Sequence, residues 1–164
     1  VGGIAGTGNV VGTAETYDPA TGAFTPTGSL ADARMRPTTV ALMEGRVLVA
    51  GGRGGNQGDT IFASAEIYDP ASNRWSALTN VPIARINALA ALLPTGKVLL
   101  GGGYGSNGVV ADSIVADPAT GTWATSGGLV QARHAATATR LANGKVLVAG
   151  GGGATGTLAT SELY

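Results

Sequence analysis

VLVAGG, from Val47 to Gly52, returns as VLLGGG at Val98 to Gly103 and again as VLVAGG at Val146 to Gly151, with Val1-Gly2-Gly3 as a truncated copy at the start. The last glycines of these copies lie 49, 51 and 48 residues apart. Such a period marks one supersecondary unit repeated. The rest of the chain keeps the same step. Asp18-Pro19, Asp69-Pro70 and Asp117-Pro118 recur at spacings of 51 and 48, as do Phe24, Trp75 and Trp123, and Arg34, Arg85 and Arg133. Tyr17, Tyr68 and Tyr164 share one position, which Ala116 fills in the third copy.

Each piece of the unit reads as strand or turn. Thr38 to Met43, Ile86 to Leu93 and His134 to Leu141 are short, apolar to mildly polar runs that end in Glu44-Gly45, Pro94-Thr95-Gly96 and Asn143-Gly144. Asn-Gly is the strongest short hairpin signal, so the aliphatic runs that follow pair back as second strands. Thr60 to Tyr68 contains a third strand, with Glu66 and Tyr68 on one face and Ala65 and Ile67 on the other. Asp-Pro-Ala-Thr-Gly, at 18 to 22 and 117 to 121, is a turn with proline preset and glycine available for positive φ. A fourth strand carries Phe24, Trp75 or Trp123. No segment has a helical period.

Four antiparallel strands in a repeat of this length make one blade of a β-propeller. The repeats resemble kelch repeats of the bacterial type, whose hallmarks are the diglycine (Gly51-Gly52, Gly102-Gly103, Gly150-Gly151), the tyrosine (Tyr17, Tyr68, Tyr164) and the tryptophan (Trp75, Trp123) at these relative positions. The resemblance covers almost the whole chain. It implies an all-β propeller of four-stranded antiparallel blades, with the Ala/Thr-rich strand innermost, the Trp strand outermost, and about three and a half blades present. The blades are expected at about 34–79 and about 85–127, flanked by partial blades at about 1–30 and about 133–164. The tryptophans are expected to be buried at equivalent positions. The chain opens inside a second strand and ends inside a third, which reads as a segment of a longer polypeptide, the remaining blades coming from that chain or from associated copies.

Composition narrows the partners. Ten basic residues balance ten acidic ones, charged residues make up 12%, and there is no cysteine. No basic stripe is present for a phosphate backbone, and the longest apolar runs fall far short of a membrane span. Nucleic acid and membrane insertion are therefore not expected. Absence of cysteine excludes thiolate metal sites and a cysteine nucleophile within these residues. The surface, poor in charge and rich in Gly, Ala and Thr, looks like that of an exported bacterial protein and suggests an extracellular or cell-surface location.

The diglycines do not read as phosphate loops, because strands rather than helix N-termini follow them; neither a metal nor a cofactor is expected. His134 is the sole histidine, and its counterparts Met35 and Ile86 favour a packing role. Arg34, Arg85 and Arg133 precede the inner strands, so the ring would gather them at one mouth of the channel, either bracing blades or binding carboxylates and sugar hydroxyls. Glu15, Glu66 and Glu162 share a position in the third strand, but the third copy has Ile114 there. Arg85 is then expected to be the least paired and most accessible of the three. The loops between second and third strands vary in sequence and offer Asn56, Asp59, Tyr104 and Asn107 beside Arg34, Arg85, Arg133 and His134 as ligand-binding candidates. No catalytic residue is assigned. These features favour a non-catalytic recognition or structural module for protein or carbohydrate. The alternative is an enzyme: kelch copper oxidases need a Cys that is missing, whereas kelch sugar-acid mutarotases need only acid and base groups at the mouth, which Arg85 and His134 would approach.

Overall fold

Aliphatic β-branched runs bounded by glycine and Asp-Pro turns set the strands. A computed structural model describes residues 1–6, 8–55 and 59–164. In the first partial blade, β1 (Glu15–Asp18) pairs with β2 (Ala23–Pro26). Next come β3 (Thr38–Ala41), β4 (Val47–Ala50), β5 (Ala65–Asp69) and β6 (Arg74–Leu78), which form one antiparallel sheet in chain order. The second complete blade repeats this with β7 (Leu89–Leu92), β8 (Val98–Gly101), β9 (Ser113–Asp117) and β10 (Thr122–Thr125). β11 (Thr137–Arg140), β12 (Val146–Ala149) and β13 (Ser161–Leu163) make a three-stranded last sheet. The fold is thus the all-β arrangement of four-stranded antiparallel propeller blades that the repeat implies.

The turns obey local chemistry. Asp18 Oδ1 accepts the Ala20 amide at 2.9 Å, and Asp69 and Asp117 repeat the contact with Ala71 and Ala119 at 2.9 and 3.0 Å. These bonds to the charged form hold all three carboxyls below their ordinary range, with the Ser72 hydroxyl the largest influence at Asp69. Gly22 and Gly121 take φ of 71° and 74°, and Asn73 fills the same position at 54°, asparagine being one of the few side chains that tolerates the left-handed region.

Alternation then sorts the faces. Leu48, Ala50, Ala65 and Ile67 of one blade bury against Val98, Leu100, Ile114 and Ala116 of the next. The opposite face of that next blade, with Leu89, Ala91 and Leu99, buries against Val146 and Val148. Inner strands of neighbouring blades are adjacent, and Thr38 Oγ1 donates to the Ala88 carbonyl at 2.9 Å. Outer strands are stapled too. Trp75 Nε1 donates to Gly28 O at 2.7 Å and Trp123 Nε1 to Thr79 O at 2.8 Å, each reaching the preceding blade. The tryptophans are equivalent, as the repeat predicts, but half-buried rather than buried, because the outer strand has protein on one face only.

Two expected boundaries shift. The inner strands begin at Thr38, Leu89 and Thr137, later than the runs predict for the last two. Left-handed residues at Arg36, Asn87 and Ala135, with φ of 52°, 51° and 51°, break each run. The residues ahead of the break join a different ladder: Arg34–Met35 pairs with Arg53–Gly54, which pairs with Thr60–Ile61. Ile86 and His134 likewise bridge to Tyr104 and Gly152. The variable connections are therefore short hairpins at one end of the sheets.

Candidate functional site

The three arginines are the most fully buried large side chains, with 0%, 1% and 1% exposure. A guanidinium in such a place must spend its five donors inside the protein. Arg34 gives Nε to Asp32 O at 3.1 Å and Nη1 to Gly51 O at 2.8 Å and Ser64 O at 3.0 Å. Its Nη2 meets Glu66 Oε1 at 2.9 Å and Asp32 Oδ2 at 3.3 Å. Burial lowers its pKa, and Glu66 and Asp32 push it back up. Arg133 repeats the Nη contacts with Gly150 O at 2.7 Å, Thr160 O at 3.0 Å and Glu162 Oε1 at 2.9 Å, while its buried Nε finds no partner among the described residues. These are blade braces.

Arg85 overturns the expectation of an accessible, underpaired cation. It donates to Gly102 O at 2.9 Å and Ile83 O at 3.0 Å, and forks onto Asp112 at 3.2 and 2.7 Å. Asp112 occupies the position of Ser64 and Thr160, two residues upstream of the missing glutamate. Side chains two apart on a strand share a face, so the carboxylate moves one step along the same face and still reaches the guanidinium. A second change explains why it can. Glu66 Oε2 also accepts the Ala31 amide at 2.9 Å and Glu162 Oε2 the Val130 amide at 2.6 Å. The equivalent residue in the blade of Arg85 is Pro82, which has no N–H to satisfy. Ile114 then joins the apolar interface instead.

The diglycines fasten one blade to the next. Gly51 and Gly102 have φ of 63° and 58°, and a Cβ on either would collide with the carbonyl oxygen of Arg85 or Arg133 respectively. The second glycine donates to that same oxygen, Gly52 N to Arg85 O at 2.9 Å and Gly103 N to Arg133 O at 2.8 Å. Each arginine therefore braces its own blade with its side chain and receives the previous blade with its carbonyl. Position 51 or 102 admits only glycine because left-handed backbone and close approach coincide.

What remains accessible is the hairpin end of the sheets. Tyr104 is 43% exposed, and its ring stands edge-on to His134 of the following blade, 6.0 Å between centroids at 84°. His134 lies over Gly152, and its Nδ1 is buried without a hydrogen-bond partner. Asp59 and Asn107 are exposed on their hairpins; Asn56 lies outside the described residues. Arg36 and Asn87 sit nearer the inner strands, where Ala135 N donates to Asn87 O at 2.8 Å and Asn87 N to Arg36 O at 3.3 Å. Among the described residues, no three His, Asp or Glu side chains are grouped to hold a metal ion.

Residues 34–82, which carry the first complete blade and its bracing arginine, match the family model described as the kelch motif. Residues 34–82 of the chain thus carry a kelch motif. It is 37% identical over 70 residues to spermatocyte protein spe-26 of Caenorhabditis elegans, an alignment that takes in 43% of this chain and 12% of that protein. Within the kelch repeat, the diglycine and the tryptophan that identify it act through blade-to-blade contacts, while Tyr68 packs on Trp75 and donates to Asn73 Oδ1 within its own blade. Bracing by Asp112 was the part that reading for template positions missed. Its only sequence signal is the joint departure of Pro82, Asp112 and Ile114 from the other copies.

Proposed function

We propose that this kelch module is a non-catalytic recognition unit that binds a protein partner through the hairpin end of its blades. The observation that carries this reading is Tyr104, an exposed aromatic held edge-on by His134 from the neighbouring blade. A half-exposed tyrosine fixed by packing offers a large contact area at little entropic cost, the character of an interface hot spot. Kelch repeats generally mediate protein–protein interaction, which favours a protein over a glycan for this surface. The arginines contribute by holding the hairpins in register, since their Nη donors are committed within the blades. The low charge and Gly/Ala/Thr-rich composition support an extracellular or cell-surface setting as part of the same proposal.

Capture experiments with the immobilised chain test it. Proteins retained by the native chain are expected to be lost with Tyr104→Ala, at an unchanged melting temperature. Retention of the same proteins by Tyr104→Ala and by His134→Ala would move the binding surface elsewhere.

A further inference from the structure

Two Asn-Gly pairs occur in the chain, Asn107-Gly108 and Asn143-Gly144, and the fold holds them differently. An asparagine ahead of glycine is open to attack on its side-chain amide by the next backbone nitrogen, because glycine has no Cβ to obstruct the approach. Asn143 is restrained. Its Oδ1 accepts the Lys145 amide at 3.1 Å, and Gly144 N donates to Leu141 O at 3.0 Å. Pro94 Cγ of the preceding blade would stand 3.3 Å from a Cβ added at Gly144, and the hairpin is closed by the four pairs of β11 and β12. The surroundings of Asn107 are open. It is exposed in the two-residue turn Ser106-Asn107 that joins Tyr104–Gly105 to Gly108–Val109, and its side chain makes no hydrogen bond among the described residues. Nothing lies within 4 Å of where a Cβ on Gly108 would be. The ladder that Gly108 closes has two pairs only, so its end opens at little cost.

We propose that Asn107 is a self-modifying site, where the folded chain converts its own amide to an aspartyl or isoaspartyl residue and thereby rearranges the hairpin that presents Tyr104. Gly108 N bonds to Asn107 Cγ as the Cγ–Nδ2 bond breaks, and the amide leaves as ammonia with the proton that Gly108 N gives up. The product is a five-membered succinimide, formed without oxidation or reduction. Water then opens the ring. Addition at Cγ restores the ordinary main chain with aspartate at 107, whereas addition at the main-chain carbonyl carbon routes the chain through the side chain and adds one backbone carbon. Loop length fixes hairpin register, so a two-residue turn lengthened in this way cannot keep Gly105 opposite Gly108 and Tyr104 opposite Val109. Both products also place a new negative charge on the hairpin of Tyr104. Loss of a protein partner on this change rests on the reading of Tyr104 given above; the chemistry does not.

The full chain, folded or unfolded in urea, is aged in mildly alkaline buffer and then cut after lysine and arginine, which separates Asn107 in Val98–Arg133 from Asn143 in Leu141–Lys145. Mass spectrometry follows the amide-to-acid change in each peptide. In urea the two sites should convert at similar rates; in the folded chain Asn107 should outpace Asn143 at least about tenfold. Backbone NMR of the aged chain should show the Tyr104 and Val109 amides displaced, and Asn107→Ser, aged alike, should keep them in place. Proteins retained by the fresh chain should be lost on ageing and kept by aged Asn107→Ser. A fresh chain that retains nothing counts against the protein-binding reading and leaves the rate and NMR arms to decide the chemistry. The proposal is overturned if folding slows Asn107 as much as Asn143, or if the Tyr104 and Val109 amides stay in place once Asn107 has converted.

Discussion

Arg34, Arg85 and Arg133 would each be costly to bury alone, and each is kept by a partner set of different composition. Arg34 has two carboxylates, Glu66 and Asp32, while Arg85 has Asp112 alone. Removing one partner of a buried pair is far worse than never having built it. Asp112→Ala is therefore expected to lower unfolding free energy by about 3 kcal/mol or more in urea titrations. Asp32→Ala, which leaves Glu66 in place and removes a side chain that is 45% exposed, should cost less than about 1 kcal/mol. The arginine positions themselves were plain from their spacing. The partner of Arg85 was not, because a carboxylate that shifts two residues along a strand leaves the template slot occupied by isoleucine and preserves only the geometry.

At the level of strands and hairpins, the diglycine decides how closely blades approach. Gly102→Ala combines left-handed strain with a collision against the Arg133 carbonyl and should destabilise markedly more than Gly22→Ala. The latter has φ of 71° but no neighbour within 4 Å of its added methyl, so it carries only the strain of about 1–2 kcal/mol. Thermal melts of the two variants give the comparison. The strands were legible because aliphatic runs, Asn-Gly and Asp-Pro each have one local meaning. The hairpins ahead of the third strands were not, since they depend on left-handed turns at Arg36 and Ala135, residue types that announce no such conformation. Only Asn87 among the three belongs to a type that favours it.

Across the whole molecule, one pH effect adds up from equivalent places. The carboxyls of Asp18, Asp69 and Asp117 are held below their usual value in the folded chain. Their contribution to stability is complete above the unfolded value near 3.8 and is lost as pH falls through the lower folded values. Melting temperature should decline on acidification from about pH 5 to about pH 3, and Asp69→Asn should flatten part of that decline in a series of scans. The contacts between units have a further property. Among the described residues, polar joints between blades repeatedly use a main-chain atom on at least one side: Gly52 N to Arg85 O, Trp75 Nε1 to Gly28 O, Thr38 Oγ1 to Ala88 O, Ala135 N to Asn87 O. A joint that recognises a carbonyl recognises no particular sequence. A duplicated copy inserted between two existing ones therefore needs no matching change at these joints, only an apolar face that packs on its neighbours, and the exposed hairpin of that copy is free to diverge from its first generation onward.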